Sequence, residues 1–99
     1  MVLVQNNSNR DFKVVYQDKE YLLPVREVAE IPEIAAKLYF AYGMDDINER
    51  IVKWCCERMR FANPGFTHMS DKDIWDNLIC KVIFGKDILK KKQIPPQIS

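Results

Sequence analysis

The first third of the chain has the alternating apolar pattern of short β-strands, and the rest has the spacing of helices. Four apolar segments with strand character lie in the first part, at Val2–Val4, Phe12–Tyr16, Tyr21–Leu23 and Val25–Ile31. β-Branched and aromatic residues, which favour strands, dominate them. From residue 32 onward the apolar residues recur every three or four positions, which is typical of amphipathic helices. This division predicts an α+β fold, with a small antiparallel N-terminal sheet of three to four strands followed by about three helices.

The polar segments between the strands predict two hairpins. Residues 6–9, Asn-Asn-Ser-Asn, separate the first two strands, and residues 17–20, Gln-Asp-Lys-Glu, separate the second and third. Asn, Asp and Ser favour turns because they tolerate left-handed backbone and bond to nearby amides. Pro24 lacks an amide proton, so it is expected at a strand end or a sheet edge. We therefore expect the first three strands to pair in sequence order.

Capping and breaking residues set the expected bounds of three helices. The predicted spans are residues 32–42, ended by Gly43; residues 45–61, opened by Asp45 or Asp46 and broken by Asn63-Pro64-Gly65; and residues 71–84, opened by Ser70 and ended by Gly85. The second helix has an apolar stripe that we expect to be buried: Ile47, Ile51, Trp54, Cys55 and Met59. Trp54 and Trp75 are accordingly assigned to the core.

Length and charge restrict the class of protein. The 99 residues predict one α+β domain over residues 1–85, β-rich in 2–31 and helical in 32–85, and a basic, Pro-containing arm over residues 86–99. A formal net charge of +1 argues against overall attraction to nucleic acid. No apolar run reaches the length of a membrane span, and the N-terminus lacks the pattern of a signal peptide. We expect a cytoplasmic protein that does not contact membranes.

The residues that carry chemistry are few and are not arranged in known motifs. Cys55, Cys56, Cys80 and the single histidine, His68, have neither the close pairing of zinc ligands nor the setting of a nucleophile. We therefore predict no catalytic, metal-binding or cofactor-binding residues, and reduced thiols. An enzyme subunit that uses a thiolate beside His68 is the least favoured alternative.

Two groups of residues are candidate contacts for a protein partner. One is the basic arm, with Lys90, Lys91, Lys92, Ile94, Pro95, Pro96 and Ile98. A Pro-stiffened arm loses less entropy on docking than a flexible one, and its lysines suit an acidic neighbour or a nucleic-acid backbone. The alternative for this arm is a solvated terminus that aids solubility. The other group is Tyr16 and Tyr21, expected on an exposed sheet face.

The N-terminal pattern resembles the small β-rich accessory proteins of tailed-phage structural modules. The resemblance covers residues 2–43 and rests on Val2-x-Val4-x-Asn6, Phe12–Tyr16, Tyr21-Leu22-Leu23-Pro24 and Val28-x-x-Ile31-Pro32-x-x-Ala35. Where those proteins carry a Pro-Gly turn after the third strand, this chain has Pro24-Val25, which predicts a different turn geometry. The resemblance carries over no catalytic residues.

What the resemblance implies is a virion component of the head, neck or capsid-stabilising type. Such a protein would be assembled in the host cytoplasm. Its expected partners are capsid, portal or tail subunits, and it could form a homo-oligomer.

The alternative function is a small regulatory or nucleic-acid-binding module. Helices 45–61 and 71–84 would form a helix-turn-helix, with positive charge from Arg50, Lys53, Arg58 and Arg60. The loop from 62 to 69 is long for that motif. Three aspartates of the third helix, at positions 71, 73 and 76, would repel phosphate. Nucleic acid is therefore the less favoured partner.

Overall fold

The computed structural model describes residues 1–85 and Ile88. Its strands are β1 (Val2–Asn6), β2 (Phe12–Tyr16), β3 (Lys19–Leu23), β4 (Val28–Ile31) and β5 (Val82–Phe84), and its helices are α1 (Glu33–Phe40), α2 (Glu49–Ala62) and α3 (Asp71–Asn77). Short 3₁₀ turns lie at Pro64–Phe66 and Ile79–Lys81. The α+β class is confirmed. The predicted contact residues of the C-terminal arm, Lys90, Lys91, Lys92, Ile94, Pro95, Pro96 and Ile98, lie outside the described residues. Of the arm predicted over residues 86–99, only Ile88 is described, and its side chain is buried.

The second predicted hairpin is confirmed. β2 and β3 pair antiparallel from Phe12 opposite Leu23 to Tyr16 opposite Lys19. Only Gln17 and Asp18 connect them, and both have positive φ, of 52° and 63°. Positive φ at both central residues defines a type I′ turn, whose twist matches that of the flanking strands.

The first predicted hairpin is wrong, because β1 does not pair with β2. β1 is instead the central strand of a separate antiparallel sheet with the order β4-β1-β5. Val4 lies opposite Ala29 on one side and opposite Phe84 on the other. The loop after β1 does not reverse the strand onto β2, because the buried Asn6 side chain ties it to the carbonyls of Arg10 and Leu23.

The first two helices are shorter than the sequence predicted. α1 ends at Phe40 because Ala41 takes a left-handed conformation with φ of 56°. α2 begins at Glu49, not at Asp45 or Asp46, because Asn48 provides the N-cap. Its side-chain oxygen accepts a hydrogen bond from the Ile51 amide at 3.1 Å. The predicted break at Asn63-Pro64-Gly65 is confirmed.

The predicted helix over residues 71–84 is wrong in its second half. Ser70 does cap α3, since its hydroxyl accepts a hydrogen bond from the Asp73 amide at 3.1 Å. The helix ends at Asn77, however, and Val82–Phe84 form β5. Residues 82–84 pair with residues 4–6 of β1, and this tertiary pairing outweighs the helical spacing of their side chains.

The core lies between the two sheets and the helices. Its fully buried side chains include Val4 from β1, Val14 from β2, Leu23 from β3, Met59 from α2 and Ile74 from α3. The edge of β2 that faces away from β3 is covered, because the Tyr39 hydroxyl bonds to the backbone of Val15 and the Asn63 side chain bonds to that of Lys13. Such covering protects a strand edge from unwanted pairing. One side of α2 packs on this core, and its other side faces outward.

Candidate protein-interaction surface

The outward side of α2 carries two large aromatic side chains. The buried side consists of Cys55, Cys56, Met59 and Ala62. Trp54 is 48% exposed and Phe61 is 81% exposed. The expectation that Trp54 belongs to the core is therefore wrong, whereas Trp75 is half-buried and packs against the core.

We define the α2 face as Arg50, Trp54, Glu57, Arg58 and Phe61. These positions are separated by four, three, one and three residues, so they lie on one side of a helix. Two shallow depressions of about 350 Å³ and 440 Å³ meet at Trp54 and Glu57; the first extends to Arg58 and Phe61 and the second to Arg50. The face therefore combines two aromatic rings with charges of both signs.

Arg58 is the fixed member of this face. Its guanidinium donates a hydrogen bond to the Leu38 carbonyl of α1 at 3.1 Å, and the residue is half-buried. Arg and the aromatic residues, Trp above all, are the side chains that most often dominate the binding energy of protein interfaces. An exposed aromatic pair rimmed by charged residues is accordingly typical of an interaction surface.

Exposed apolar residues continue from α2 into the loop before it. Met44 and Ile47 are both exposed and lie before the Asn48 cap, outside α2. Within α2, Trp54 precedes Phe61 by seven residues. A spacing of seven keeps side chains near one side of a helix and is the repeat that lets helices pair. This repeat was the sequence signal that could have identified the surface.

The structure places Tyr16 and Tyr21 on a different element. Both are half-buried on the β2–β3 hairpin, and Tyr21 lies opposite Val14 and packs against the core. These two predicted contacts are therefore not part of the α2 face. Their role in partner binding stays a prediction.

The cysteines differ in accessibility. Cys55 and Cys56 are buried, and Cys80 is exposed. Burial raises the pKa of all three thiols, that of Cys56 to about 11. A nucleophilic cysteine needs the opposite shift. His68 is exposed. Within residues 1–85 and 88, no three His, Cys, Asp or Glu side chains come together as metal ligands would.

Two of the four cations of the helix-turn-helix alternative are engaged inside the chain. Arg58 bonds to Leu38, and Arg60 donates to the Met69 carbonyl and to the Asp71 carboxylate. The supposed recognition helix is α3, which has only seven residues and two aspartates in its first turn. The helix-turn-helix alternative therefore has fewer cations free to contact phosphate than the sequence indicates.

Comparison with protein-family models gives no match, and comparison with curated proteins and with solved structures gives no significant one. Among the described helices, none has the length and apolar character that crossing a membrane requires.

Proposed function

We propose that this protein is a non-enzymatic structural component of a tailed-phage particle and acts through protein–protein contacts. Two independent lines support this proposal. The first is the resemblance of residues 2–43 to phage accessory proteins. The second, which carries the proposal, is the exposure of Trp54 and Phe61 on one side of α2. Full burial of an apolar side chain is worth about 1.5–3 kcal/mol, and a chain that functions alone would leave most of this unused at Phe61 and about half of it at Trp54.

The occupant that best fits the α2 face is a second copy of the chain. Arg50 and Glu57 lie on the same edge of the face, four residues before Trp54 and three residues after it. When two such helices pack antiparallel about a two-fold axis near Trp54, Arg50 of each copy lies beside Glu57 of the other. The pairing is self-complementary, as a two-fold interface requires.

The expected strength of this pairing is modest. Four aromatic side chains that become fully buried contribute at most about 6–12 kcal/mol, at roughly 1.5–3 kcal/mol each. Loss of translational and rotational freedom costs about 4–15 kcal/mol. The contact should therefore be weak between isolated chains and effective where many copies are held together, as in a particle.

Analytical ultracentrifugation of the purified chain tests whether a second copy occupies the α2 face. We expect a concentration-dependent monomer–dimer equilibrium that Phe61→Ser shifts to monomer. Leu22→Ser is the matched control, because Leu22 is 65% exposed but lies on β3; it should leave the equilibrium unchanged. If the chain is monomeric at all concentrations and instead binds a capsid, portal or tail subunit, that subunit replaces the second copy as the occupant of the α2 face.

The place of the protein in a particle needs a separate test. Mass spectrometry of purified particles of the phage that encodes this chain should detect it in fixed ratio to the major capsid protein. Its absence from particles, together with a strictly monomeric state, would contradict the proposed function.

A further inference from the structure

A second surface, unrelated to the α2 face, is a polar groove of about 700 Å³. It lies where the loop at residues 7–10 meets the turn at residues 24–27 and α3. Three cations line it, namely Arg10, Arg26 and Lys81, together with one carboxylate, Asp73. In the part of the chain that the structure describes, the ion pairs are Lys13–Glu20 and Arg60–Asp71, and neither uses a cation of the groove.

Residues 6 and 7 anchor the backbone of all three cationic residues. The Asn6 side chain donates to the Arg10 carbonyl at 2.8 Å, and the Asn6 carbonyl accepts from the Arg26 amide at 2.7 Å. The Asn7 amide donates to the Lys81 carbonyl at 3.0 Å. Asn6 is itself completely buried. The groove is therefore held by an ordered hydrogen-bond network beneath it.

Arg26 occupies a backbone conformation that favours glycine. It is the third residue of a turn closed by the Glu27 amide and the Pro24 carbonyl, and its φ is 71°. The Gln5 side-chain amide donates to its carbonyl at 2.9 Å and helps to hold it there. A left-handed conformation is strained for a residue other than glycine, and such strain is concentrated at functional sites. Here the strained residue is an arginine that lines the groove.

The charge and size of the groove indicate the chemistry of its ligand. Three positive charges and one negative charge leave a net charge of +2 at the lining. A phosphate monoester carries about −1.5 to −2 at neutral pH and offers three acceptor oxygens, which suit guanidinium and ammonium donors. The volume lies within the roughly 300–1,000 Å³ of small-ligand sites.

We propose that the polar groove binds the phosphate group of a small phosphorylated molecule. Arg10, Arg26 and Lys81 contact the phosphate, and Asn6 holds the backbone of Arg10 and Arg26 at the groove. The proposal does not depend on the α2 face or on a role in a phage particle.

Titration of the ¹⁵N-labelled chain with inorganic phosphate, at constant ionic strength set by NaCl, tests the proposal. We expect saturable chemical-shift changes in the amides of residues 7–10 and 26. Arg26→Gly should weaken binding about tenfold, the effect of losing one charge-assisted hydrogen bond. The same variant should raise the melting temperature by about 4–8 °C, because it removes the strain. This opposite change in stability shows that the loss of binding is not caused by unfolding.

Gln17→Gly is the matched control, since Gln17 also has positive φ but lies in the β2–β3 turn and does not line the groove. It should raise the melting temperature and leave phosphate binding unchanged. Shifts that NaCl alone reproduces, or equal binding by the wild type and Arg26→Gly, would overturn the proposal. A parallel titration with short single-stranded DNA separates the two sources of phosphate. If the groove saturates at a lower concentration of phosphate groups with DNA than with inorganic phosphate, the ligand is a nucleic-acid backbone and not a small molecule.

Discussion

Asn6 shows how one buried polar residue can organise a surface. Both hydrogens of its side-chain amide are used, by the carbonyls of Arg10 and Leu23 at 2.8 Å each. Its side-chain oxygen accepts from the amide and the hydroxyl of Ser8, at 2.9 Å and 2.6 Å. The amide group is therefore fully satisfied away from water, which makes it stabilising instead of costly.

We predict that Asn6→Ala lowers the free energy of unfolding by about 3 kcal/mol, since it leaves several buried groups without partners at about 1–3 kcal/mol each. Urea denaturation measures the change. Asn9→Ala is the control, because Asn9 belongs to the same loop but is exposed; it should stay within about 0.5 kcal/mol of the wild type. Equal, small effects of the two substitutions would show that the network contributes little.

The sequence identified Asn6 only as a turn residue. Asn is favoured in turns because its side chain bonds to nearby backbone, and that preference correctly indicated the loop that follows Asn6 but not the path of that loop. It could not show that Asn6 is the last residue of a central strand, because one of its partners, Leu23, is 17 positions away.

Trp54 was misassigned for a related reason. Its spacing from Cys55 and Met59 fits a broad apolar stripe, and only the packed structure shows which side of that stripe is covered.

At the scale of single elements, the β2–β3 hairpin has an unfavourable turn composition. Both turn residues have positive φ, yet neither is glycine. The second position of a type I′ turn strongly favours glycine. We predict that Asp18→Gly raises the free energy of unfolding by about 0.5–1 kcal/mol.

Thermal or urea unfolding of Asp18→Gly measures this gain. Lys19→Gly serves as the comparison, because Lys19 is the first residue of β3 and does not have positive φ; that variant should be destabilised by a similar amount. A loss of stability in Asp18→Gly would mean that the aspartate has a stabilising contact outside the turn.

Local signals predicted the ends of elements better than their partners. The Ser70 cap and the Asn63-Pro64-Gly65 break were found because both depend on neighbouring residues. The continuation of α3 to residue 84 was wrong because Ile79, Val82 and Ile83 fit a helix and a strand equally well. The deciding factor is the free edge of β1, which lies some 80 residues earlier in the chain. Spacing within a segment carries no information about such a partner.

At the scale of the whole molecule, the proposed antiparallel pairing predicts a charge-swap result. Arg50→Glu places two carboxylates opposite each other at each end of the interface, so it should weaken self-association about tenfold at low salt. Arg50→Glu combined with Glu57→Arg restores opposite charges and should return association to within about 0.5 kcal/mol of the wild type. Sedimentation equilibrium measures both.

The matched control is Lys37→Glu, an equal change of charge on the exposed side of α1. It should leave association unchanged. Failure of the double variant to recover would contradict the two-fold arrangement but not the aromatic contact, which Phe61→Ser tests separately.

The position of β1 between β4 and β5 has a consequence for biosynthesis. Among the described strands, β1 is translated before all the others and β5 after all the others. The nascent chain must therefore keep one side of β1 open while every element between β1 and β5 is translated. An open strand edge can pair with another chain. Translation speed and chaperone access should consequently influence the yield of folded protein more strongly than they would for a chain whose neighbouring strands pair in order.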